Sequence, residues 1–160
     1  MDESDDMKRQ LRESAFFADF DGAMLEQVAP CTRPGKFPAG AYILRDGEKS
    51  DTFHLLCHGT VAIELAAPPR GRILIQTLDV GDTIGWSWLV PPYRWNFDAR
   101  AVSLVRTLEI DAQKLRELAE RDHDFGYRLL QRLVPLIAGR LTAARLQMLD
   151  LYAPMTTTAL

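Results

Sequence analysis

The residues best placed to do chemistry lie in one run, Gly81-Asp82-Thr83-Ile84-Gly85-Trp86-Ser87-Trp88-Leu89-Val90-Pro91-Pro92-Tyr93-Arg94-Trp95. A glycine-bounded turn that opens a short helix can aim backbone N–H groups at an anion, and its formation depends little on side chains. Gly85, Trp86, Ser87, Trp88 and Leu89 would supply those groups. A partly buried anion also needs a cation, because isolated buried charge is very costly. Arg94 reads three ways: a phosphate ligand, a cation–π anchor between Tyr93 and Trp95, or a solvated turn residue. Arg100 is a second basic candidate, with Asp98 as its expected structural partner. Trp86, Trp88, Tyr93, Trp95 and Phe97 alternate through the same stretch. Such a cluster is more often core, its indole N–H groups bonded to backbone, than the floor of a pocket for a flat ligand.

Other chemistries find no constellation. His54 and His58 share a strand face by spacing, with Cys57 pointing the other way, but no further ligand follows in a metal-binding pattern. Asp46 and Glu48 flank a turn and read as solvated; no Ser-His-Asp arrangement or phosphate-binding P-loop is present. The expectation is therefore no enzyme, no metal and no resident cofactor. Net charge of −3 gives no field that would favour nucleic acid or anionic lipid. The basic residues between Arg116 and Arg145 read as a solvated helix face. The acidic start Met1-Asp2-Glu3 is followed by no apolar signal segment, and no run approaches the ~18 apolar residues of a membrane span. A cytoplasmic protein is expected, with Cys31 and Cys57 as buried thiols.

The elements that must hold the run fall in three zones of one domain, residues 1–152: helices over 1–30, a β-roll over 31–110 and helices over 111–152. In the first, Met7, Leu11 and Ala15 keep helical spacing, Phe16, Phe17 and Phe20 form an aromatic wedge, and Asp21 caps a second short helix. In the second, strands at Tyr42–Leu44, Phe53–Cys57, Val61–Leu65, Ile73–Ile75, Phe97–Val102 and Val105–Ile110 alternate with turn residues that include Pro34-Gly35 and His58-Gly59. The stretch from Thr60 to Leu65 shows the period of two of a strand with one buried face. Many short strands between Gly- and Pro-rich turns predict a jelly-roll barrel, mainly β with flanking helices.

In the third zone Asp111 caps a helix ending near Arg121, and Asp124 starts a long helix through Leu151 or Tyr152. Leu130, Val134, Ile137, Leu141, Ala144, Met148 and Leu151 repeat at 4-3-4-3-4-3, an a/d seam of coiled-coil type. Leu129, Leu133 and Leu136 add a second stripe, and Pro135 with Gly139 predicts a kink between the halves. The first half is expected to pack on its own barrel and the second to make a homodimer; the alternative is a seam that only covers its own domain. Residues 153–160 read as a flexible tail.

The ordered set of motifs resembles the cyclic-nucleotide-binding domain family over roughly Phe16 to Leu151. Gly40-Ala41-Tyr42-Ile43-Leu44 with Asp46-Gly47 resembles the family's opening glycine pair, and Phe53 to Val61 its apolar strand ending in a glycine turn. Gly81-Asp82-x-x-Gly85 resembles the start of its phosphate-binding cassette, and Ala101 to Asp111 the strand pair behind it. The layout is also similar to the sensor half of catabolite-activator-like bacterial regulators, whose long helix makes the dimer. The resemblance implies a cyclic nucleotide, cAMP or cGMP, as ligand and a role in signal transduction.

Two departures qualify what is implied. Those regulators carry a helix-turn-helix after the long helix, and none follows here, so direct DNA binding is not expected. The family's cassette places Glu after the second glycine for the ribose hydroxyl, and Arg about ten residues on for the cyclic phosphate. Trp86 and Trp95 stand at those positions, with Arg94 adjacent. Losing one guanidinium contact to a buried anion costs on the order of 2–5 kcal/mol. The expectation is a stand-alone sensor or regulatory module that signals through its C-terminal helix to a protein partner, with cAMP or cGMP binding altered or lost. The alternatives are a structural or protein-interaction module whose pocket tryptophan has closed, and the excised sensor domain of a transcription regulator.

Overall fold

Eight strands form because short β-branched and aromatic runs are cut by residues that accept left-handed backbone, and Gly40, Gly47, Gly59, Gly71, Gly81 and Gly85 all lie at positive φ. The structure, a computed structural model, describes residues 2–152. In order these are α1 (Glu3–Glu13), α2 (Gly22–Val28), β1 (Thr32–Phe37), β2 (Tyr42–Leu44), β3 (Thr52–His58), β4 (Val61–Ala66), β5 (Arg72–Leu78), β6 (Thr83–Ile84), β7 (Asp98–Ala101), β8 (Val105–Asp111), α3 (Ala112–Arg121) and α4 (His123–Tyr152). Two antiparallel four-stranded sheets result, ordered β1-β8-β3-β6 and β2-β7-β4-β5, the jelly roll that the turn spacing predicts. Asp21 and Asp111 cap α2 and α3 as expected, accepting from the N–H groups of Met24 and Lys114. No helix of the described residues is long and apolar enough to cross a membrane.

An aromatic line runs through the core and joins all three zones. Phe16 meets Phe53 of β3 at 5.0 Å between ring centroids, Phe53 meets Trp88 at 4.8 Å, and Phe20 meets Phe125 of α4 at 5.6 Å. Arg132 of α4 adds two bonds to the same wedge, donating to the carbonyls of Phe16, at 3.0 Å, and Ala15. The N-terminal aromatics therefore form the seat between barrel and long helix.

Several local expectations need correcting. Pro34-Gly35 is not a turn but lies inside β1, where Gly35 pairs with Thr107. β1 is an edge strand, so the missing proline N–H is tolerated. A side chain at Gly35 would sit 2.4 Å from Thr107 Oγ1, so the close strand crossing requires glycine. β4 does not have one buried face: Val61, Ala62, Ile63 and Glu64 are all buried. It lies between β7 and β5, and the Arg100 guanidinium covers Glu64. A register shift between Leu56 and His58 breaks the alternation of β3, so His54 is buried while His58 and Cys57 are exposed. Cys31 is half-buried, so neither cysteine is the buried thiol expected.

α4 starts at His123 rather than Asp124, because Asp122 caps it by accepting from the N–H groups of Asp124 and Phe125. It continues unbroken through Pro135 for 30 residues, about 45 Å. Phe125, Leu129 and Leu133 are its buried stripe, with Leu136 packed against the core. The seam positions Leu130, Val134, Leu141 and Met148 are exposed, while Ile137 and Ala144 are half-buried. The side chain of Leu151 and the predicted tail, 153–160, lie outside the described residues.

Candidate functional site

The turn into the cassette is clamped from β3. Gly81 donates to Leu56 O and Leu56 donates back to Asp82 O, both at 2.9 Å, and β6 pairs Thr83 with Leu55. Asp82 closes the turn by accepting from Asp79 N–H at 2.9 Å. Gly85 then takes φ +84, and a Cβ there would lie 2.4 Å from Trp95 Cζ3. The Trp95 ring thus rests directly on the second cassette glycine and is 3% exposed.

After Trp86 comes a single 3-10 turn, Ser87–Leu89, in which Leu89 and Val90 donate to the carbonyls of Trp86 and Ser87 at 3.0 and 3.2 Å. Such a turn makes no internal use of its leading amides, those of Ser87 and Trp88. Trp88 is fully buried against Phe53, a core residue as read. Its Nε1 has no hydrogen-bond partner, contrary to the backbone-bonded indole expected. The Arg116 guanidinium donates to Trp88 O and lies 4.1 Å from the centre of the Tyr93 ring.

Residues 93–95 are zipped against the loop after β2. Ser50 N–H donates to Tyr93 O at 2.8 Å, Trp95 N–H to Glu48 O at 2.9 Å, and Gly47 N–H to Trp95 O at 2.8 Å. These bonds hold Tyr93 at φ +56, unusual for a residue with a side chain. They also alternate the side chains, so Trp95 turns into the core and Arg94 stays exposed, donating to Gly47 O at 3.0 Å. The cation over Tyr93 is Arg116, not Arg94.

The expected Asp98–Arg100 pair does not form. Arg100 Nε donates to Glu64 at 3.0 Å, and Asp98 pairs with Arg72 of β5. The β4–β7 register sets Glu64 opposite Asp98; Arg100 of β7 reaches Glu64 on the adjacent β4, and Arg72 reaches Asp98 from β5 across β4. Burial alone would raise the Asp98 pKa, but Arg72 and the Asp46 N–H together hold it below the ordinary carboxylate value.

Sequence reasoning missed Arg140. It was grouped with a solvated basic face, yet it is 7% exposed, and Arg116 and Arg132 are half-buried. From α4 it donates to Thr83 O, and its guanidinium carbon lies 5.1 Å from the centre of the Trp86 ring. Burial pushes its pKa down to about 10, against a weak opposing pull from Asp82. Its position was legible, because 129, 133, 136 and 140 continue the 4-3-4 spacing of the buried stripe.

Three surface hollows of the described residues lie away from Gly85 to Leu89, Arg94 and Trp95. A cavity of about 450 Å³ lies elsewhere, beside β1 and α3, among Arg33, Lys49, Asp51, Glu109, Asp111 and Lys114. Its charges are of both signs and largely offset. The nearby His54 Nδ1 is 3.9 Å from Glu109 Oε1; burial lowers its pKa to about 4, although Glu109 pulls the other way.

A two-sheet roll with a glycine-bounded cassette built around β6 and a helix closing over it defines a cyclic-nucleotide-binding type of architecture. The profile of the cyclic nucleotide-binding domain matches residues 34–122, more than half of the chain, and the chain belongs to that family. No curated protein matches it. A solved protein of Geobacter metallireducens, named for cyclic nucleotide binding, is 28% identical with a TM-score of 0.75, over 84% of this chain and 97% of that one. A cyclic nucleotide-binding domain from Methylobacillus flagellatus has a TM-score of 0.76 at 17% identity, over 96% and 86%. The regulatory subunit of a cAMP-independent protein kinase A from Trypanosoma brucei has a TM-score of 0.64 at 19% identity, over 80% of this chain and 48% of that one. At these identities the last two show the fold alone.

Proposed function

We propose that this chain is a regulatory module of the cyclic-nucleotide-binding family whose cassette has lost the ordinary acid-and-arginine grip on cAMP or cGMP. The observation that carries this is Trp95 seated on Gly85, with Trp86 following that glycine and Arg94 bonded to Gly47. An indole can neither neutralise a phosphate nor accept from a ribose hydroxyl. What the cassette senses passes to α4, which touches it through Arg140 and carries an unpartnered apolar seam on its other face. The seam pairs with a second copy, because exposed apolar residues at heptad spacing on a long helix are the signature of a coiled coil. The module acts by regulation of a protein partner, without catalysis.

Calorimetry with cAMP and cGMP, together with light scattering, tests this. The expected result is a dimer that takes up either nucleotide more weakly than micromolar, or not at all. A monomer at all concentrations, or submicromolar binding of cAMP, would refute it.

A further inference from the structure

Arg140 is the buried arginine at the cassette, and among the described residues it meets no anion. Arg72 is spent on Asp98 and Arg100 on Glu64, while Arg94 and Arg116, both more exposed, donate to the carbonyls of Gly47 and Trp88. Arg140 belongs to no ion pair among the described residues, and its Nη1 is buried with no partner. A desolvated guanidinium with an orphaned N–H is costly to keep, and evolution has cheaper ways to fill space beside an indole. Its place is telling: it bonds the carbonyl of Thr83, two residues before Gly85, and covers Trp86, the residue after it.

We propose that Arg140 is the cation of this cassette, meeting the negative charge of a phosphate-bearing ligand from α4 rather than from the strand after the turn. The ligand's phosphate would take the place of the half-buried Trp86 ring and accept from Nη1, the donor now unused, while Nη2 keeps its bond to Thr83. This extends the regulatory reading above and rests on it, because it makes the sensing group part of the helix that signals. Leu141, the next residue, lies on the exposed seam, so anchoring Arg140 fixes the seam's position.

The test compares the full chain with Arg140→Met, which keeps much of the volume without the charge, and Arg140→Lys. The probes are cAMP, cGMP, inorganic phosphate and pyrophosphate, read by calorimetry and by the fluorescence of Trp86, which lies beneath the guanidinium. The expected result is that the wild type binds at least one probe at millimolar concentration or below, and that Arg140→Met weakens it by ~30-fold or more. Arg140→Lys should fall between, and Arg140→Met should melt no lower than the wild type, since a buried unpaired charge has gone. A cyclic nucleotide that outcompetes pyrophosphate assigns a nucleotide source for the phosphate; the reverse order assigns a free phosphate.

Equal affinity of wild type and Arg140→Met would overturn the assignment to Arg140 while leaving the regulatory module intact. A wild type that takes none of the four probes also overturns it, and light scattering on the same sample then shows whether the dimeric module falls with it. Loss of binding with a clearly lowered melting temperature marks Arg140 as a structural latch, which again overturns the proposal.

Discussion

Gly85 is the residue on which the cassette's shape turns. Its φ of +84 and the 2.4 Å approach of Trp95 to an added Cβ both exclude a side chain. Gly85→Ala should therefore destabilise by roughly 2 kcal/mol or more, from strain and overpacking together, visible as a lower urea midpoint. His54 makes the second residue-scale prediction. Its pKa is lowered from the ordinary 6.5 to about 4, so the unfolded chain takes up a proton before the folded one does. Stability is thus full above about pH 6.5 and is lost progressively as pH falls towards 4, by an amount on the order of 3 kcal/mol. A His54→Gln variant should show a flatter stability profile over that window in pH-resolved chemical melts; an unchanged slope would refute the assignment.

At the scale of the element, α4 is two helices in one. Phe125, Leu129 and Leu133 are buried, while Leu130, Val134, Leu141 and Met148 stand 48–57% exposed on the other side. The two stripes predict opposite phenotypes. Leu133→Ala should cost about 2–5 kcal/mol of folding stability, because it opens a cavity in the shared core. Val134→Glu with Leu141→Glu should leave the melting of the monomer nearly unchanged, yet shift sedimentation to the monomer even at high concentration. A double variant that still sediments as a dimer would place the pairing surface elsewhere.

At the scale of the whole molecule, contacts between the three zones join them into one hydrophobic core. The Phe16–Phe53–Trp88 line, the Phe20–Phe125 contact and the bonds of Arg132 to residues 15 and 16 tie the helices to the interior of the roll. Unfolding should accordingly be one transition, with tryptophan fluorescence and helical circular dichroism coinciding. Early loss of helix signal, ahead of the tryptophans, would show that α4 melts independently and would weaken its role as a transmitter.

Much of this was legible in the chain itself. Turn residues at intervals of about ten, strands between them and a 3.6-residue period afterwards specify the roll, the caps at Asp21 and Asp111 and the exposed seam, since all are local in sequence. Aligned by its resemblance to the family's cassette, the chain also puts Trp86 and Trp95 where that cassette carries its Glu and Arg. What only the tertiary structure decided were relations between distant segments: Pro34-Gly35 drawn into an edge strand by β8, Asp98 paired with Arg72, and Trp95 laid on Gly85. Arg140 is the sharpest case, because its spacing shows that it lies on the buried stripe but not what it meets. Its carbonyl partner lies 57 residues away in the chain and its indole three residues nearer, brought under the helix only when the barrel closes and α4 folds back across it.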